Sequence, residues 1–151
     1  AELGLWVAVQ PNFIAERGDH YLADVESEYV PHLYRLKSFL DAGVSLAAGS
    51  DAPFGDPDPW AAMKAAVQRR SPSGAAIGAE EALAPEQALD LFLRDPVDLS
   101  ARRRIEEGAP ADLCLLDCDW NAARAELSAT HVRSVFVAGR LLFDGVDQAP
   151  F

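Results

Sequence analysis

Residues 44–60 read VSLAAGSDAPFGDPDPW. Val44 to Ala48 is a continuous apolar run, closed by Gly49-Ser50-Asp51. A run that is apolar on both faces and is cut off by turn residues fits a strand of a parallel sheet, buried on both sides. Working outward, Leu5 to Val9 (LWVAV) repeats the pattern and is closed by Gln10-Pro11-Asn12. Between the two runs the spacing predicts a helix from about Pro31. Leu33, Leu36 and Leu40 form its stripe, Phe39 lies beside them, and Gly43 sits at a C-cap position. The stretch from about Asn12 to Val30 then reads as a long loop.

On the other side of the run, Asp58-Pro59 opens a second helix, with a capping Asp followed by Pro at the first helical position. Trp60, Met63 and Val67 share its inner face, and Arg69 and Arg70 fall in its last turn, where positive charge suits the helix dipole. A third helix is expected from about Pro85 to Arg94, with Ala88, Leu89, Phe92 and Leu93 inward. After Asp95-Pro96 the pattern turns to strands: Leu113 to Leu116, Val132 to Val137, and Leu141 to Phe143 after an Ala138-Gly139 turn. The chain therefore divides into an α/β segment, 1–98, and a β-rich segment, 99–151.

Composition excludes several function classes. The 151 residues carry 24 acidic and 13 basic side chains, a net charge of −11. That field repels a phosphate backbone or an anionic membrane, so neither nucleic acid nor membrane is an expected partner. No apolar run approaches the roughly 18 residues of a membrane span. AELGLWVAVQP has neither a basic leader nor a cleavage pattern. Cys114 and Cys118 cannot staple a domain of this size and read as reduced core residues of a cytoplasmic protein. With His131 they suggest zinc only weakly, because no fourth ligand is evident.

The candidate chemistry gathers at strand ends. In parallel α/β folds the C-terminal ends of strands form the site face, and the 44–48 strand delivers Ser50 and Asp51 there. A carboxylate so placed can bind a metal or take a proton from water; as a plain turn residue it would merely cap the bend before Pro53. Asp56 and Asp58 read as turn and cap residues. Gln10 and Asn12 end the other strand and, if the strands are parallel, open onto the same face. With Ser50 they are candidate substrate contacts, and Phe54 and Trp60 are candidate pocket walls or core residues. Ser50 lacks the Gly-x-Ser-x-Gly elbow of a nucleophile. His20, His32 and the Arg102-Arg103-Arg104 run read as structural or solvated.

Five stretches, in order, resemble the amidohydrolase superfamily, specifically its amidohydrolase family 3 branch: VAVQPNF, LDAGVSLAAGSDAPFGDPDPW, LAPEQALDLF, GAPADLCLLD and HVRSVFVAGRLLFDG. The resemblance implies an α/β chain made of the last two strands of a metal-dependent (β/α)8 (TIM) barrel, followed by part of a small β-sandwich domain. A complete barrel of this type needs about 250 residues. It implies that Asp51 approaches the metal centre and acts as general base in hydrolysis of non-peptide, amide-type carbon–nitrogen bonds in a small-molecule substrate. It also implies a divalent metal, zinc, in the full-length enzyme. The family's His-x-His and its two single metal-binding His have no counterparts here. The expectation is a C-terminal fragment, starting inside a longer gene, inactive without the N-terminal barrel portion and unable to hold the metal alone. The alternative is a standalone, non-catalytic acidic α/β module whose open strand edges associate with a partner chain or a second copy.

Overall fold

A computed structural model describes residues 4–145, so positions 1–3 and 146–151 of the two segments lie outside the described residues. The fold is mixed α/β. Strands β1 (Trp6–Val9) and β2 (Ser45–Ala48) pair in parallel, Trp6 opposite Ser45 and Val9 opposite Ala48. Of the four helices α1 (Asn12–Asp24), α2 (Lys37–Asp41), α3 (Pro59–Gln68) and α4 (Pro85–Phe92), α2 and α4 pack against β2, and α3 packs against both α4 and α1. The second segment holds β3 (Leu113–Leu116), α5 (Trp120–Glu126), β4 (Val132–Val137) and β5 (Arg140–Asp144), with the three strands antiparallel in the order β3-β4-β5. The hairpin expected at Ala138-Gly139 is present, with Val137 opposite Arg140.

Helix starts follow the sequence chemistry. Asp58 caps α3 by accepting from the Trp60 amide at 2.8 Å, and Asp119 caps α5 by accepting from the Ala122 amide at 2.9 Å. At the start of α4 the Gln87 side chain reaches back to the Ala84 amide at 2.9 Å. One apolar cluster joins Val9, Leu36, Leu46, Trp60, Met63, Leu91, Ala123 and Leu127, and so runs through both segments. Each such Leu, fully buried, contributes about 1.5–3 kcal/mol. No helix among the described residues is long and apolar enough to cross a membrane.

Four expectations are corrected. The stretch after Asn12 is a 13-residue helix, not a loop. Its packing face is hidden in the sequence because Gly18 occupies it: a Cβ there would lie 2.6 Å from Ile77 Cδ1 and 2.7 Å from Ser71 Cβ. The helix predicted from Pro31 is instead a short 3-10 turn, Val30–His32, followed by the five residues of α2. The break lies at Leu33, which is extended (ψ 133°), and Tyr34, which is left-handed (φ 50°); the Arg69 guanidinium donates to their carbonyls at 2.8 and 2.9 Å and holds them there. Arg69 is accordingly no solvated dipole partner. It is fully buried, and its Nε also donates to Ile77 O at 2.9 Å. Finally, Cys114 is exposed on β3 rather than in the core, while Cys118 is half-buried against it; both are free thiols.

Candidate active site

The parallel pairing puts the ends of β1 and β2 side by side, and the Gly49 amide donates to Val9 O at 3.0 Å. Gln10 and Asn12 therefore leave the sheet at the same end as Ser50 and Asp51. Asp51 has φ 57°, in the left-handed region that Asp tolerates better than most residues but still uncommonly. Its carbonyl closes the turn, accepting from Phe54 N at 2.9 Å and Gly55 N at 3.1 Å. Local side-chain capping falls to Ser50, whose Oγ accepts from Ala52 N at 3.3 Å. The Asp51 carboxylate is exposed and has no hydrogen bond or ion pair among the described residues. It does not cap the bend, which leaves its oxygens available for chemistry.

The first turns of α1 grip this loop. Asn12, only 2% exposed, donates from Nδ2 to Ser50 O at 3.1 Å and to Glu16 Oε1 at 2.8 Å. Glu16 Oε1 also accepts the Asp56 amide at 3.0 Å. Arg17 donates to Phe54 O at 3.3 Å, and its guanidinium lies 3.8 Å above the Phe54 ring. Phe13 meets Phe54 edge-on, centroids 5.7 Å apart. Gly55 is required by this closeness, since a Cβ there would lie 2.2 Å from Ser50 O and 2.4 Å from Asn12 Nδ2. Asp56 and Asp58 play the turn and cap roles expected of them.

Gln10, Asn12, Ser50, Asp51 and Phe54 thus belong to one neighbourhood. Trp60 is 8% exposed and packs in the core cluster. It also lines a cavity of about 1050 Å³ whose other walls come from α4, residues 101–116, Trp120 and Phe136, and which Asp51 does not line. Glu16 and Arg17 are not among the candidates from sequence, because their helix lies in the stretch that reads as a loop. The available signal was Pro11-Asn12 followed by a run without helix breakers up to Arg17. Among the described residues the group of three or more potential metal ligands is Asp117, Cys118 and His131, and Asp51 is not in it.

Comparison with known proteins identifies the family. Residues 1–143 match the amidohydrolase family. N-substituted formamide deformylase of Arthrobacter pascens is 31% identical over 150 residues, 95% of this chain and 28% of that protein. YtcJ of Bacillus subtilis (strain 168) is 24% identical over 152 residues, 95% of this chain and 29% of that protein. An uncharacterized metal-dependent hydrolase from Pyrococcus furiosus of known structure is 25% identical, with a TM-score of 0.46 over 60% of this chain and 18% of its own. The chain spans under a third of the length of the curated relatives it matches. With nearly its whole length matched, the chain belongs to the amidohydrolase family.

Proposed function

We propose that this chain is the C-terminal part of a hydrolase of non-peptide, amide-type carbon–nitrogen bonds, and that Asp51 is its proton carrier. The observation that carries the reading is the unengaged Asp51 carboxylate at the end of β2, on a left-handed residue. Strained backbone that frees a polar side chain is a recurrent feature of reactive positions. Asp51 accepts a proton from the attacking water as the water oxygen bonds to the amide carbon. The carbon–nitrogen bond then breaks, and Asp51 returns the proton to the departing nitrogen. Gln10, Ser50 and Phe54, with Asn12 behind them, orient the substrate, and Trp60 supports the start of α3 from the core. The relative named for deformylating N-substituted formamides supports this bond class.

The residues around Asp51 do not by themselves fit a divalent metal, since one carboxylate without a second ligand holds none firmly. The zinc of the proposed parent takes its other ligands from outside these 151 residues, as does the rest of the proposed (β/α)8 barrel and β-sandwich. A two-stranded sheet is marginal alone, and here β1 is only partly covered, with Ala8 exposed. This supports neighbouring strands supplied by another length of chain, and on this reading the isolated chain, without the other metal ligands, is inactive.

Two measurements test the reading. The 151-residue chain, purified with zinc, should show no turnover of N-substituted formamides or simple amides; robust turnover sinks the fragment reading. In the protein encoded by the full reading frame upstream of Ala1, Asp51→Asn should lower kcat by about 10²–10⁴-fold, with KM and melting midpoint little changed. An unchanged kcat removes Asp51 from the chemistry. An in-frame stop and start codon just before Ala1 would favour the standalone module instead.

A further inference from the structure

We propose that the end of β3 and the start of β4 form a zinc-class metal site, separate from the Asp51 loop, in which Asp117, Cys118 and His131 are ligands and Glu126 orients the histidine. One oxygen, sulfur or nitrogen atom from each of the three ligands lies within 4.8 Å of the others. A zinc tetrahedron with bonds of about 2.0–2.3 Å has edges of about 3.3–3.6 Å. His131 Nδ1 and Asp117 Oδ1 already stand 3.3 Å apart. Small side-chain rotations bring in the sulfur, and water fills the fourth position on the open side, where Asp117 is 55% exposed.

The second histidine nitrogen supplies the independent support. His131 Nε2 lies 3.0 Å from Glu126 Oε2. A metal-bound imidazole almost always donates its other N–H to a carboxylate or carbonyl, which fixes ring and tautomer. The backbone also assembles the group before any ion arrives. The Asp117 amide donates to His131 O at 3.0 Å, α5 carries the chain round to Glu126, and Ser128 caps the turn that delivers His131. The donor set of nitrogen, sulfur and carboxylate oxygen suits zinc or cobalt better than magnesium or calcium. Binding forms the metal–sulfur bond and sends the Cys118 thiol proton to solvent.

The test uses the 151-residue chain with zinc or cobalt chloride alone. One ion per chain is expected by titration calorimetry, and the cobalt form should show thiolate-to-metal charge-transfer absorption. Cys118→Ser and His131→Gln should abolish stoichiometric uptake with an unchanged circular dichroism spectrum. Glu126→Gln should weaken it about 10–100-fold, and Asp51→Asn should leave it intact. A chain carrying only Cys114→Ser keeps every proposed ligand, and there zinc should slow alkylation of Cys118. No uptake at one equivalent, no thiolate band, or undiminished alkylation in zinc each overturns the site.

Discussion

Arg69 is a guanidinium with no exposed surface, so its stability depends on using its donors. It ends α3 in a left-handed conformation, φ 53°, that glycine would adopt more cheaply. The offsetting gain is four bonds to the carbonyls of Leu33, Tyr34, Ile77 and Gly78, which tie three separate stretches together. Arg69→Met should therefore cost about 3–5 kcal/mol, because it orphans those carbonyls and leaves Glu81 without its charge partner; the urea midpoint measures it. Glu81 completes the arrangement by accepting from the Leu36 and Ser38 amides, both at 2.9 Å, which starts α2. Burial alone would raise its pKa. The Ser38 and Leu36 hydrogen bonds and the Arg69 charge overcome that and hold it below the ordinary 4.5. A depressed carboxylate pKa contributes stability that is present above the ordinary value and is lost as pH falls through the folded one. The wild-type melting midpoint should drop across that acid window, and Glu81→Gln should flatten the drop while lowering stability at neutral pH.

At the level of elements, legibility depended on whether a segment's own residues decide its shape. β1 and β2 were readable because continuous apolar runs ending in Gln10-Pro11 and Gly49-Ser50 admit little else. The helix starts at Asp58 and Pro85 were readable because capping is local. The Leu33, Leu36, Leu40 spacing misled because Leu33 is extended and Tyr34 left-handed, a bend secured by Arg69, far along the chain, which donates to both carbonyls. The Asp51 loop was legible in its residues but not in its support, since Asn12, Glu16 and Arg17 act from a helix whose apolar stripe is interrupted by Gly18. Gly18→Ala should force α1 away from Ser71 and Ile77 and cost about 1–3 kcal/mol. Gly49→Ala, where an added Cβ meets nothing within 4 Å, should stay within about 0.5 kcal/mol. Paired urea titrations of the two variants check the contrast; equal losses would mean that Gly18 is not a packing requirement.

For the whole molecule, two opposed terms decide whether chains associate. The β-rich segment exposes Leu113, Leu115, Val137, Leu141, Leu142 and Phe143, and among the described residues β1 and β2 form a sheet of two strands. Open strands and apolar surface favour pairing with another chain. The net charge of −11 resists it. Salt separates these terms, because the screening length falls from about 30 Å at 0.01 M to about 8 Å at 0.15 M while apolar contacts persist. The chain should sediment as a monomer at low salt and shift to dimers or larger species as sodium chloride is raised. Leu142→Lys should reduce that shift by placing charge on the exposed strand β5 without disturbing the core. A single sedimentation coefficient across the salt series would mean that the exposed strands are not adhesive surfaces, and would remove the main physical reason for expecting a second copy on this chain.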